Sequence, residues 1–202
     1  MKTLSRATFA PVLVTLAALG LSACGGGGSD SPGASTTAPP TPTPTPTPTA
    51  PATTTGSTCG ISDFANAALV RINALRAAGA DCRTGGKFAP AAALTWSAQL
   101  TQSSEAHTQD MVANNFFSHT GSNGSTLGVR VDATGYLWSA LGENIAAGYS
   151  GLDAVMTGWM ASDGHCANLM NPAFNQVGLV CVPGTTATTY NTYWTMDLGL
   201  LR

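Results

Sequence analysis

Charge is scarce in this 202-residue sequence, which carries 8 Lys and Arg, 10 Asp and Glu, and 3 His. The few basic residues form no cluster, which excludes a nucleic acid or other polyanion recognised through a basic face. With only 9% charged residues, small polar side chains must supply most of the solvated surface. Common enzyme signatures are also missing. There is no Gly-x-Ser-x-Gly elbow, no His-Glu-x-x-His helix and no phosphate-binding glycine loop. No Cys-x-x-Cys pair occurs, so a cysteine-built zinc site is a weak reading. No internal repeat is present in residues 59–202, and the one long apolar run, Ala7 to Gly20, is too short to cross a bilayer.

That run belongs to an N-terminal address. Lys2 and Arg6 form a short positive region ahead of it, and Leu21-Ser22-Ala23-Cys24 follows it. The pattern resembles the bacterial lipobox, in which the cysteine is lipidated and becomes the mature N-terminus. Residues 1–23 are therefore expected to be a lipoprotein-type signal peptide and Cys24 a membrane anchor. Removing Lys2 and Arg6 leaves 6 basic and 10 acidic residues, a net charge of −4. No acidic residue directly follows Cys24, which favours the outer over the inner membrane of a bacterial envelope, facing periplasm or exterior.

Residues 24–58 read as a tether. Gly25 to Ser29 are flexible. The centre, Thr41-Pro42-Thr43-Pro44-Thr45-Pro46-Thr47-Pro48-Thr49, has too little apolar surface to fold and favours extended polyproline II. At about 3.1 Å per residue the segment could reach on the order of 100 Å.

Residues 59–202 suffice for one domain with a core, expected to be monomeric. Phe64, Ala68, Ile72 and Leu75 make an apolar stripe on a helix expected over Ser62–Gly79, with Ser62 as N-cap. A second helix is expected over Leu94–Asn114, with Trp96, Leu100, His107 and Met111 on one face. A third is expected over Leu152–Ser162, with Gly164 as its stop. Strand-like runs cover Gln176–Val182 and Tyr190–Leu198, with a shorter one near Glu143–Ala147. The order suggests an α+β fold, with helices on both faces of a small, mainly antiparallel sheet. His107 reads as a packed core histidine, and Trp96, Trp159 and Trp194 as core. Trp138 reads as an exposed aromatic.

Cys59, Cys82, Cys166 and Cys181 point to two disulfides with three possible connectivities. The short loop favours Cys166–Cys181, worth roughly 3 kcal/mol. Cys59–Cys82 then follows by elimination, although a helix about 25 Å long lies between them.

The three histidines sit in informative company. Phe117-Ser118-His119, Gly142-Glu143-Asn144 and Gly164-His165 occur in that order, with Asn73, Arg76, Leu94, Trp96, Asp110-Met111, Gly135-Tyr136, Trp159 and Tyr193-Trp194 around them. Over nearly all of residues 61–200 this pattern resembles the CAP superfamily of cysteine-rich secretory, antigen 5 and pathogenesis-related proteins, in its bacterial SCP form. The resemblance implies a three-layer α-β-α sandwich with a cleft lined by two histidines and two acidic residues. His119, Glu143 and His165 fall on three of those positions. The fourth has no acidic match: Ser162 stands nearest, beside Asp163.

Two imidazoles and a carboxylate can hold Zn²⁺ or another divalent cation with positions left open. The candidate cleft set is thus His119, Glu143, His165, Asn144 and Ser162. His119, His165 and Glu143 are the candidate metal ligands and Glu143 the candidate catalytic base. The incomplete acidic set favours a non-catalytic binding module for a small apolar, envelope or host ligand. A metal-dependent, peptidase-like hydrolase and a structural or adhesive envelope protein are the alternatives.

Overall fold

The computed structural model describes residues 57–202. The expected signal peptide, Cys24 and most of the tether lie outside the described residues. No helix among them is long and apolar enough to cross a membrane.

The chain opens with α1, Phe64–Ala78, followed by β1, Ala80–Asp81, a 3-10 turn at Arg83–Gly85, and β2, Lys87–Phe88. Next come β3, Thr95–Trp96, then α2, Ala98–Ala113, and α3, Leu127–Ala133. The long strand β4, Trp138–Ala147, leads into α4, Leu152–Met160, and α5, Asp163–Met170. Two strands close the domain: β5, Gln176–Pro183, and β6, Thr192–Leu201. β1 and β2 form a small hairpin, and the main sheet has the order β3-β5-β6-β4. β3 runs parallel to β5, and the other pairings are antiparallel. The expected α+β sandwich of the CAP type is what forms.

Alternation along the strands divides the core in two, because successive side chains leave opposite faces. Val177, Leu179 and Cys181 of β5 and Trp194, Met196 and Leu198 of β6 pack with Phe64, Ala68 and Ile72 of α1, Val155 and Trp159 of α4, and Leu169 of α5. The opposite face meets α2 and α3. There Leu100, Val131 and Tyr136 form one apolar cluster, and Met111, Ile145 and Tyr193 another. A β-carbon at Gly178 on β5 would collide with the Leu100 and Thr101 backbone, so this glycine lets α2 lie directly on the sheet.

Element boundaries depart from the sequence reading where local chemistry intervenes. α1 starts after Asp63, not Ser62, and the Asp63 carboxylate accepts a bond from Asn66 Nδ2 at 2.8 Å instead of capping the backbone. Gly79 ends α1 with φ 69°, and a β-carbon there would come within 2.9 Å of the Phe88 carbonyl. α2 begins at Ala98, where the Ser97 hydroxyl caps the Leu100 N–H, because residues 95–96 join the sheet beside β5. Gly164 is not a stop: α4 ends at Met160 and Gly164 lies in the first turn of α5. Trp138 is half-buried, donating from Nε1 to Asp132 at 2.8 Å.

The disulfides also differ from the expected pairing. Neither Cys166–Cys181 nor Cys59–Cys82 forms; the bonds are Cys59–Cys181 and Cys82–Cys166. Cys59 and Cys82 flank opposite ends of α1, whose 15 residues span about 22 Å. The segment before α1 instead runs beside the end of β5, where Cys181 N–H donates to Ser57 O and Cys59 N–H to Cys181 O. α5 is held to the 83–84 turn by Asp163, which accepts from Arg83 Nε and the Thr84 N–H. That docking brings Cys166 onto Cys82. Loop length weighed only the unfolded chain, whereas the docking of these segments decides which sulfurs meet.

Candidate functional site

β4 is an edge strand, and the cleft straddles it. Glu143 leaves one face of β4 toward α2 and α3, and Asn144 leaves the other toward α5. From the α2 side comes the loop that carries Phe117 and His119. From the opposite side comes the α4–α5 junction with Ser162 and His165.

The His119 loop is short of apolar residues, so side chains of α2 and α3 hold its backbone. His107 Nε2 donates to Ser118 O at 2.8 Å. Asp110 accepts from the Ser122 N–H at 2.8 Å and from Asn114 Nδ2 at 2.8 Å. Arg130 Nη1 donates to His119 O and Ser125 O, both at 3.1 Å. The same guanidinium uses Nη2 to pair with Glu143 Oε2.

Glu143 is buried, and its other oxygen accepts from His119 Nδ1 at 2.7 Å. Burial pushes the carboxyl up, but the His119 hydrogen bond and the Arg130 and His107 charges outweigh it and hold the group below its ordinary value. Glu143 is therefore a carboxylate with both oxygens engaged. An ionised acceptor on Nδ1 fixes the proton of neutral His119 there and leaves Nε2 bare. The His119 ring is 56% exposed.

His165 is half-buried on α5. Burial lowers its proton affinity, so neutral imidazole is favoured. Its carbonyl accepts from Asn144 Nδ2 at 3.0 Å, and Asn144 Oδ1 accepts from Asn168 Nδ2 at 3.0 Å. Asn168 also donates to Glu143 O at 3.1 Å. Asn144 is thus fully buried behind the cleft, tying α5 to β4. Ser162, by contrast, lines the cleft wall with His165.

Next to His165 lies a cavity of about 260 Å³ bordered by Phe117, Tyr149, Trp159 and Tyr190. Phe117 and Tyr190 meet edge-to-face at 5.9 Å, and Tyr190 meets Tyr193 at 5.7 Å. Both Phe117 and Tyr190 are exposed, so the rim is an aromatic pair open to solvent.

Among the described residues, no three His, Cys, Asp or Glu side chains are grouped to hold a metal ion. Glu143 in particular does not fit as a direct ligand, since a guanidinium occupies one oxygen and an imidazole the other. It fits the outer role of a carboxylate that orients a ligating histidine through Nδ1–H. What remains for a cation is the pair of imidazoles.

His107 is fully buried and hydrogen-bonded, as read from the sequence. Arg130 was missed. It lies in a helix of seven residues, too short to show periodicity, and its partners are 5, 11 and 13 positions away. A lone arginine before Gly135-Tyr136 was the only available signal. Asn168 had no sequence signal of its own, because only the fold sets it against β4.

Known proteins resemble the chain in these same elements. The model of the cysteine-rich secretory protein family, CAP, matches residues 69–198. The chain is 34% identical over 80 residues to the uncharacterized protein YkwD of Bacillus subtilis (strain 168), covering 40% of this chain and 31% of that protein. It is 32% identical over 88 residues to the uncharacterized membrane protein YlbC of the same organism, covering 44% and 25%. The matched regions thus span under a third of either relative. The crystal structure of an extracellular protein containing an SCP domain from Bacillus anthracis str. Ames superimposes with a TM-score of 0.52 at 28% identity, covering 69% of this chain and 42% of that one. With the family pattern, the disulfide-tied sandwich and the histidine-flanked edge strand in one chain, residues 69–198 place this protein in the CAP family.

Proposed function

We propose that this protein is an extracytoplasmic binding module, anchored through Cys24, whose cleft receives a small, mainly apolar ligand. The observation that carries the reading is the contrast within the cleft. Phe117, Tyr149, Trp159 and Tyr190 border a cavity beside His165, while the one acidic group, Glu143, has both oxygens occupied. Aromatic walls with a few polar groups suit apolar ligands. A carboxylate held below its ordinary pKa is a weak general base, which counts against the hydrolase. A second apolar hollow, about 350 Å³ between α1 and α4, is bordered by Leu75, Met156 and Met160. It is the alternative ligand site in the same reading.

The test is binding of a fluorescent naphthalene sulfonate probe to the full chain. Phe117→Ala with Tyr190→Ala should weaken it at least about tenfold, the equivalent of roughly 1.4 kcal/mol. Unchanged binding would move the site to the α1–α4 hollow or remove it. A Zn²⁺ titration addresses the cation. Nε2 of His119 and the His165 imidazole should bind it, and His119→Ala should abolish that binding. Equal affinity in wild type and variant would remove the metal from the reading.

The location rests on the Leu21-to-Cys24 pattern and on the extracellular and membrane descriptions of the Bacillus relatives. The outer membrane is the favoured site. Cys24→Ser should release the protein from membranes, and continued membrane retention would reject the anchor.

A further inference from the structure

The cavity beside His165 is walled by aromatic rings that are fixed in place although two of them are open to solvent. Phe117 is 43% exposed and Tyr190 39%. Their rings meet at 63°, and Tyr190 meets Tyr193 at 80°. Rings at such angles stand as adjoining walls, whereas parallel rings would stack into one slab. Hydrogen bonds hold the loops that carry them. The Thr189 N–H donates to Asn115 Oδ1 at 2.8 Å, tying the Tyr190 loop to the segment just before Phe117. Tyr149 O accepts from Thr192 Oγ1 at 2.8 Å and from Trp194 Nε1 at 3.2 Å. The Tyr149 ring lies against Gly158 of α4, where any β-carbon would collide with it. Rings left exposed contribute little to the fold through burial. Rings held ready around a cavity lower the cost of ordering a binding site.

The rest of the lining says what the ligand carries. No Lys, Arg, Asp or Glu borders the cavity, and burial keeps His165 neutral. An anion therefore finds no cation to pair with. A primary ammonium brings three N–H donors, but no carboxylate is present to accept them, and the Ile145 carbonyl already accepts from Trp159 Nε1 at 3.2 Å. A quaternary ammonium has no N–H to satisfy. Its methyl groups suit apolar walls, and its charge is drawn to the negative faces of aromatic rings. The volume, about 260 Å³, lies just below the usual range for drug-sized ligands, which suits a head group.

We propose that this aromatic cavity binds a quaternary ammonium group of the kind carried by choline, with its methyl groups against Phe117, Tyr149 and Tyr190. The assignment rests on the cleft being a binding module for a mainly apolar ligand, and adds the charge that ligand carries. Free choline and a phosphatidylcholine head group share this chemistry.

The probes are choline, its uncharged isostere 3,3-dimethylbutan-1-ol, and ethanolamine, whose ammonium keeps its N–H groups. Titrated into the full chain without added metal, choline should bind at least about tenfold more tightly than either. Its N-methyl proton signal should move upfield under the ring currents. Phe117→Leu with Tyr190→Leu keeps apolar volume at two exposed positions and removes the π faces. That variant should bring choline down to the level of the isostere, while the isostere binds as before. Vesicles separate the two sources. Retention on phosphatidylcholine vesicles that choline displaces identifies a lipid head group. Choline binding with no more retention than on phosphatidylglycerol vesicles identifies the free solute. Choline that binds no more tightly than the isostere overturns the assignment and leaves the apolar-ligand reading, which naphthalene sulfonate binding tests separately. Equal binding of ethanolamine, or a choline preference that survives the leucine variant, also overturns it.

Discussion

The two faces of the central sheet are built from different materials. Toward α1, α4 and α5 the sheet presents Val177, Leu179, Trp194, Met196 and Leu198, all buried against other apolar groups. Toward α2 and α3 the buried set includes Ser103, Ser104, His107, Thr108, Arg130, Glu143, Thr195 and Asp197. β4 and β6 supply Glu143, Thr195 and Asp197 to the second set by alternation, and α2 and α3 supply the rest. Burying apolar surface stabilises at about 25 cal/mol per Å², whereas buried polar groups return little net stability even when paired. One face holds the domain together. The other spends part of that stability on holding Glu143, His119 and their neighbours in place. Both disulfides lie with the apolar face, where Cys181 joins the main core and Cys82 and Cys166 pack with Met170.

The largest effects should be similar in size on the two faces but different in kind. Trp194→Ala should cost about 3–5 kcal/mol through the cavity it leaves, and that cost should change little with pH. Arg130→Met should also cost about 3–5 kcal/mol at neutral pH, because it strands the buried Glu143 charge. Here pH discriminates. Glu143 titrates below 4.5 in the folded chain, so its stabilising contribution is present above that range and is lost as pH falls through its folded value. The Arg130→Met penalty should shrink on acidification and the Trp194→Ala penalty should persist. Urea denaturation of both variants at neutral and acidic pH checks this. Parallel losses at both pH values would mean that the polar face acts only as packing.

The disulfides sharpen the comparison at the next level. Cys82→Ser with Cys166→Ser opens a loop of 84 residues and should cost about 2–5 kcal/mol. Its local effect should fall on α5 and the β1–β2 hairpin, which that bond joins. Amide exchange should speed up there first, while α2 follows only the global stability. If α2 loosens as much as α5, the two faces are one cooperative unit and their separation is compositional only.

How much of this was legible beforehand follows the same division. The apolar face shows plainly in the sequence, because a stripe at i+3 and i+4 in residues 64–75 and the apolar run in residues 177–182 are signatures of burial. The histidines and Glu143 were visible through their motifs, but the Nδ1–Oε1 bond between His119 and Glu143 was not. That bond needs an edge strand and a loop 24 positions apart to meet. Arg130 was hidden for the same reason. The disulfides were misassigned because loop length speaks for the unfolded chain, while Asp163 seats α5 against the 83–84 turn. Gly164 misled because a glycine reads as a helix stop until a new helix is seen to begin beneath it.

The smallest effect should have the opposite sign. Asp197 is fully buried on β6, directly opposite Glu143 in the strand register. Burial, and then the Glu143 charge, raise its proton affinity well above the ordinary value of 3.8. A raised acid binds its proton more tightly in the folded state, so stability falls as pH climbs from 3.8 through the folded value. Asp197→Asn removes that titration with almost no change of shape. The variant should match wild type in strong acid and become progressively the more stable as pH rises toward neutrality. Thermal melts across that range measure it. A variant less stable than wild type at neutral pH would show that the Asp197 carboxyl makes a bond that an amide cannot replace. The polar face would then be held by that bond, and its cost to the fold would be smaller than two buried carboxyl oxygens without a hydrogen-bond partner imply.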